Sequence, residues 1–275
     1  MCDDGVRIGR TALVLMPLLF SAPAPVSAFE PATATEAAAG RVYVSLIIDD
    51  LGNSLAEGRR VLRLPGPVAA AILPHTAHSR ELAAAFQHAN REVLLHLPMQ
   101  PLEQETVTPG PGTLERGMSP HELAHMLEYD LSTVPNAIGV NNHMGSLLTQ
   151  QREPMGHVMQ SLRKRGLLFV DSLTTPASVA AHVAREHHVP TLVRDVFIDN
   201  EREPGAIEQQ LRTLLRMARA RGFALGIGHP YPGTLEVLER WLPTLAQTNV
   251  ELVPLSTLLA AERNGQSLWR ASLSR

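Results

Sequence analysis

Cysteine is almost absent from this sequence: Cys2 is the one thiol among 275 residues. That excludes a disulfide framework and a thiolate zinc site. No apolar run approaches the roughly 20 residues that a transmembrane helix needs, which excludes a multi-span membrane protein. Neither sign of charge dominates, with 24 Lys and Arg against 27 Asp and Glu for a formal net charge of -3. Nothing electrostatic therefore points to nucleic acid or an anionic lipid surface as the main partner. Lysine is nearly missing as well, Lys164 being the exception among the basic residues; we read this as genome composition with no functional meaning. Hydrophobic residues make up 44% and charged residues 19% of the chain, an ordinary globular mixture rather than a disordered or collagen-like one. The length suits one large α/β domain or two small ones.

The first stretch reads as separate from the fold. Arg7 and Arg10 precede the apolar run Thr11 to Phe20, and Val26-Ser27-Ala28 offers a small-residue cleavage site. Charged, apolar and cleavage regions in that order are the pattern of a secretory signal peptide, expected to span residues 1–28. A membrane anchor is the competing reading, but Pro17 interrupts a run already too short to span. Cleavage after Ala28 removes Cys2 and predicts an exported protein of the periplasm or cell envelope, with no integral membrane domain. Residues 29–40, rich in Ala, Thr, Pro and Glu without periodicity, are expected to form a linker. The folded domain is expected over residues 41–262, with a tail, including Trp269, over 263–275.

From Arg41 onward, short apolar runs alternate with amphipathic segments. Val42 to Ile48, Val68 to Leu73, Val93 to Leu95, Ala137 to Val140, Leu167 to Val170, Thr191 to Val193 and Phe223 to Ile227 are the strand candidates, with Val250 to Val253 as an eighth. Most are continuous apolar runs, as expected of strands covered on both faces. Between them lie helical patterns. One opens at Pro204 and carries Ile207, Leu211, Leu214, Leu215 and Ala218 on one face. Another opens with the capping box Ser119-Pro120-His121-Glu122. Alternating βα units predict a parallel sheet, open or closed into a barrel.

In such folds the chemistry sits at the carboxyl ends of the strands. The runs lead, in order, into Asp49-Asp50, His75, His96, Asn141-Asn142-His143, Asp171-Ser172, Arg194-Asp195 and Gly228-His229. Polar groups beside apolar strands are costly unless they pair or bind something. Six or seven of acid, base or ligand type predict a functional rim. His and Asp without Cys suit a catalytic zinc or another divalent transition metal, three ligands leaving a position for water. Adjacent Asp49 and Asp50 can divide the work, one turned to the metal and the other to the water's proton. In isolation an Asp-Asp-Leu-Gly stretch reads as a helix N-cap.

The motifs together resemble the divergent polysaccharide deacetylase family. They are Ile47-Ile48-Asp49-Asp50-Leu51-Gly52, Arg91 to His96, His96-Leu97-Pro98-Met99-Gln100-Pro101, Gly139 to Ser146, and Gly226-Ile227-Gly228-His229-Pro230-Tyr231-Pro232, within a resemblance running from about Arg41 to Ala260. The resemblance implies a single (β/α) barrel, distorted and seven-stranded, that removes N- or O-acetyl groups from a glycan with a divalent metal, zinc by preference. It implies Asp49 as general base, Asp50 and His96 as metal ligands, and His229 as the acid on the leaving group. Members of the broader superfamily carry a second histidine four residues after the first, where this chain has Gln100. His143 is the expected third ligand instead. The superfamily's Arg-x-Pro motif is also missing, and Asn141 and Asn142 stand in its place. These two, with Asp171, Arg194, Asp195 and Tyr231, are expected to touch substrate or to orient the ligands; a buried ion pair bracing the barrel mouth is the structural alternative for Arg194. With so few aromatics, only Tyr231 and Trp241 suggest sugar stacking.

Other signals compete with this reading. His121-Glu122-Leu123-Ala124-His125 fits the H-E-x-x-H pattern of zinc metalloproteases, but its histidines lie opposite the apolar face of Leu123, Met126, Leu127 and Leu131. Gly226-Ile227-Gly228 lacks the third glycine of a dinucleotide site. His157, His187 and His188 fall in polar segments; His75 and His78 are placed to cap the next helix or approach the rim. Pro109 to Gly117 is long enough to cover a site. Gln100 keeps a second functional reading open, a glycan-binding or regulatory envelope protein with little hydrolytic activity.

Overall fold

A computed structural model describes residue 1, residues 41–102 and residues 108–263. The expected leader beyond Met1, the linker, and the tail beyond Arg263 lie outside the described residues. Among those described, no helix is long and apolar enough to cross a membrane.

Among the described residues nine strands, all paired in parallel, form one sheet. In chain order they are β1 (Val42–Leu51), β2 (Ala69–Ile72), β3 (Val93–Met99), β4 (Gly139–Met144), β5 (Leu168–Asp171), β6 (Thr191–Val193), β7 (Val196–Phe197), β8 (Phe223–Gly228) and β9 (Val250–Leu252). The helices between them are α1 (Leu55–Leu62), α2 (Ser79–His88), α3 (Pro120–Leu131), α4 (Arg152–Arg165), α5 (Ala180–Glu186), α6 (Pro204–Arg221) and α7 (Pro232–Trp241). A last helix, α8, begins at residue 255 and is described to 263. The spatial order β6-β5-β4-β3-β2-β1-β8-β7 curls the sheet into a partial barrel, with β9 paired to the start of β1.

The count exceeds the expected seven for two reasons. Val250–Leu252 does pair, against Val42–Val44, while β2 pairs only from Ile47 onward. A short strand that was not expected, Val196–Phe197, also follows the sixth. The backbone N–H of Arg194 donates to Asp171 at the end of β5, and that of Asp195 donates to Leu225 on β8. Two consecutive residues thus step across the gap between the edge strands β6 and β7.

Strand parity sorts the side chains into two cores. Val44, Leu46 and Ile48 of β1, Leu95 and Leu97 of β3, and Phe169 of β5 face the helices in a large outer core. Ile47, Ala69, Ala71, Leu94, Val170, Leu225 and Ile227 face inward, forming a smaller interior core with Leu255, Leu258 and Leu259 of α8. Each fully buried leucine contributes about 1.5–3 kcal/mol, so α8 closes the amino end of the barrel with an apolar plug. The carboxylate of Glu92 accepts the backbone N–H groups of Leu255 and Ser256 and caps that helix. The capping box of α3 forms as expected, Ser119 and Glu122 each accepting the other's backbone N–H, and Pro204 opens α6. Among the described residues no such plug closes the carboxyl end of the barrel.

Candidate metal centre

The inward face of each strand continues past the apolar core into polar residues. Tyr43, Ser45 and Ile47 lead to Asp49; Leu94 leads to His96. On β4, Asn141 and His143 lie in register with His96 and Pro98 and so share that face. Leu192 leads to Arg194 across the gap, and Ile227 leads to His229. Asp50 is out of phase. It joins the site because the pairing of β1 with β2 shifts register between Ile48 and Leu51, and because its backbone is left-handed, with φ of 57°. An aspartate tolerates that conformation better than most residues, and a bulge beside a functional site commonly serves to re-aim a side chain. Both carboxylates of the pair thereby reach one cavity of about 310 Å³, lined by Asp49, Asp50, His96, His143, Arg194 and His229 among others.

Three ligand atoms converge there. Asp50 Oδ1 lies 3.1 Å from His96 Nε2 and 3.0 Å from His143 Nδ1, and the two ring nitrogens are 3.0 Å apart. Asp50 Oδ1 is buried without a well-formed hydrogen bond. An orphaned carboxylate oxygen between two imidazole nitrogens is what a bound cation would satisfy. The triangle is slightly tighter than the about 3.4 Å edge implied by ligand bonds of 2.0–2.1 Å around a tetrahedral ion. Among the described residues this is the one group of three or more His, Cys, Asp or Glu side chains that could hold a metal. His96 is set for the task from behind: its Nδ1 lies 3.0 Å from Asn141 Oδ1, to which it donates, leaving Nε2 facing the site.

The same Asn141 donates from Nδ2 to Asp49 Oδ1 at 2.8 Å and to Ser172 Oγ at 3.3 Å. Asp49 Oδ2 is 3.6 Å from His96 Nε2. Burial pushes the Asp49 carboxyl up, partly offset by the nearby His96 and His229. Burial works against the charge of Asp50 too, but the adjoining His143 and His96 rings outweigh it and hold that carboxyl well below the usual range. For His96, burial opposes protonation; Asp49 and Asp50 overcome it and lift the ring to about 9. Two adjacent aspartates are thus driven in opposite directions, the chemical condition for different tasks.

On the opposite wall His229 presents Nε2 3.7 Å from Asp50 Oδ2, and its Nδ1 is 3.1 Å from Asp199 Oδ1. Asp199, buried, also accepts the backbone N–H of His229 and the hydroxyl of Thr234. Burial lowers the His229 pKa, yet Asp199 and the site carboxylates outweigh it and raise it overall. Asp199 was not among the expected site residues. Its signal is the apolar triplet Val196-Phe197-Ile198 that precedes it, with Phe197 and Asp199 on one parity.

The remaining expectations divide. Tyr231 lines the cavity with its ring stacked 5.3 Å from His229. Asn142 forms part of the wall, but its amide is taken by Met144 and Ser172, tying β4 to β5. Arg194 lines the cavity and forms no ion pair among the described residues, contrary to the bracing alternative. Asp171 is corrected: it shares outward parity with Phe169, and its carboxylate accepts from Leu173, Ser178 and Ala181 at the start of α5. Asp195 is corrected likewise, being turned to Arg221 and the backbone of Leu225. Trp241 packs on the outer core, away from the cavity. Gln100 accepts the backbone N–H of Arg116 and braces the connection through residues 108–118. His75 turns away to Asp130, 2.8 Å distant. His121 and His125 lie on the exposed face of α3, their rings 6.4 Å apart, with Glu122 committed to its cap.

Comparison with known proteins gives the same direction. Residues 46–259 match the profile of the divergent polysaccharide deacetylases. The chain is 35% identical over 216 residues to the uncharacterized protein YibQ of Escherichia coli K12, covering 78% of this chain and 67% of that one. It superposes on the crystal structure of the uncharacterized protein ATU2773 of Agrobacterium tumefaciens C58 with a TM-score of 0.77 and 25% identity, over 82% of this chain and 92% of that one. The peptidoglycan deacetylase PdaC of Bacillus subtilis, solved as a mutant, shares the fold at a TM-score of 0.51 and 12% identity, over 84% and 97% of the two chains.

Proposed function

From the chain's membership of the divergent polysaccharide deacetylase family, we propose that it is an exported, metal-dependent hydrolase removing acetyl groups from an envelope glycan such as peptidoglycan. The observation that carries this reading is the convergence of Asp50, His96 and His143 between a buried carboxylate, Asp49, and a carboxylate-backed imidazole, His229.

Asp50, His96 and His143 would hold the ion, and this one-carboxylate, two-imidazole set suits zinc. Once bound, the ion supplies Lewis-acid polarisation and brings the pKa of a water towards 7. Asp49 is the base that takes the attacking water's proton. Burial raises it from the ordinary carboxylate range towards the range where it can hold that proton, and Asn141 fixes its orientation. His229 delivers a proton from Nε2 to the departing sugar amine or hydroxyl; Asp199 holds Nδ1 and favours the protonated ring. Base and acid approach the substrate from opposite walls, so a proton is accepted at one side while another is released at the other.

Metal analysis and acetate release from acetylated glycan fragments test the proposal, comparing wild type with Asp50→Ala. Bound metal with acetate release, both lost in the variant, is the expected result. Metal without acetate release from any fragment would move the protein to the glycan-binding reading.

A further inference from the structure

The cavity holds one strong cation that the chemistry above does not use. Arg194 enters from the step between β6 and β7 and lines the same wall as Ser172, Thr174 and Phe197. Its Nε donates to the carbonyl of Ser172 at 2.6 Å and its Nη2 to that of Leu173 at 2.9 Å. Its guanidinium also rests 5.2 Å from the centroid of Phe197. The side chain is therefore held in place by two bonds and a ring. Nη1 has no hydrogen-bond partner among the described residues and is not fully buried, and no carboxylate among them comes within 4.0 Å of the guanidinium. Burial disfavours this charge, and only the longer-range fields of Asp49, Asp171 and Asp195 offset it.

Two further features give the free donor a meaning. Stacking on a sugar is largely foreclosed at this wall, because the Tyr231 ring packs against His229 and under Arg202, whose guanidinium carbon is 3.9 Å from its centroid. Recognition must therefore be mainly polar. With a divalent ion at Asp50, His96 and His143, the positive charge around the cavity exceeds that of Asp49 and Asp50, since the charge of His229 is already met by Asp199. A pre-oriented, partly desolvated guanidinium in such a field is built to receive an oxyanion.

We propose that Arg194 selects an acetylated sugar that also carries an oxyanion, a carboxylate or a phosphate, within reach of the acetyl group. This deepens the glycan reading above and rests on it. Neutral acetylated sugars would leave Nη1 without a partner; acidic ones complete its fork.

The test is equilibrium binding by the metal-loaded full chain, measured by surface plasmon resonance. The probes are a neutral N-acetylglucosamine tetramer, a tetramer of equal length bearing carboxylates, and one bearing a phosphate monoester. Wild type is expected to bind one acidic probe about 10- to 100-fold more tightly than the neutral one, and the two acidic arms identify which oxyanion fits. Arg194→Gln is expected to bring that ratio to near one, with Arg194→Lys in between. Equal wild-type affinity for acidic and neutral probes overturns the proposal, as does binding of none of them or an unchanged ratio in a folded Arg194→Gln. Should Arg194→Gln not fold, the wild-type comparison and the lysine variant still decide. An acidic preference without acetate release would sink the hydrolase reading and leave this one standing; acetate release without an acidic preference would do the reverse.

Discussion

Asn141 offers the sharpest test of how the centre is held together. It is fully buried and touches both halves of the chemistry, donating a hydrogen bond to Asp49 and accepting one from His96. Asn141→Leu keeps nearly the same volume and removes both of these bonds, along with the longer one to the Ser172 hydroxyl. Asp49 and His96 are both buried ionisable groups, so each of those two losses costs about 1–3 kcal/mol, or roughly 2–6 kcal/mol together. For a domain of this size that corresponds to a fall in Tm of roughly 5–20 °C. Losing the partner that orients His96 is expected to weaken metal binding about 10- to 100-fold. Asp49 would also lose a bond that favours its charged form. Its pKa then rises further, and the acid limb of the rate profile moves to higher pH. Calorimetry and a competitive metal titration read the first two effects. A Tm within about 1 °C of wild type with unchanged metal affinity would refute the reasoning, because base and ligand would then be held by something other than this amide.

Three other outcomes follow from the geometry. Zinc at about 100 times its Kd should stabilise the wild type by about 2.7 kcal/mol, a rise of roughly 5–11 °C, and His143→Ala should abolish it; an equal rise in the variant would place the ion elsewhere. Asp199→Asn removes the charge that favours protonated His229, so the alkaline limb of kcat/KM should move to lower pH, and an unmoved limb would remove His229 from the role of acid. Away from the centre, burial raises Asp130 to about 8, above its unfolded value of about 3.9. The neutral form is thus favoured by folding: the stability it gives is complete below about pH 4 and is lost as pH rises to about 8. Thermal unfolding of wild type should weaken over pH 5–8 by on the order of 1 kcal/mol per unit, and Asp130→Asn should flatten that slope. Identical slopes would show that Asp130 ionises freely.

Much of the centre was legible because its residues follow apolar runs. Asp49, Asp50, His96, His143 and His229 could each be placed at a strand end by that rule alone. The rule fails where parity matters. Asp171 follows a strand as directly as Asp49 does, yet it is one step out of phase and caps a helix instead. Strands buried on both faces carry no alternation of polarity, so the sequence conceals which parity looks inward. Asp50 breaks parity in the other direction, through a backbone kink that no pattern of hydrophobicity announces. Asp199 was hidden for another reason: β7 has only two residues, too few for any periodicity, and the apolar run of the sixth strand ends at Val193, well before it.

The two-residue step between β6 and β7 sets a rule about length as well as composition. Arg194 faces the cavity and Asp195 faces Arg221 because two residues, and no other number, separate the edge strands. Inserting a single residue between Val193 and Arg194 would turn both side chains over, since a one-residue slip moves every side chain to the other face. A carboxylate would then look into the barrel and a guanidinium out of it. The sign of the charge presented to the cavity is therefore encoded in spacing, and one inserted residue would reverse it while leaving every amino acid of the centre unchanged.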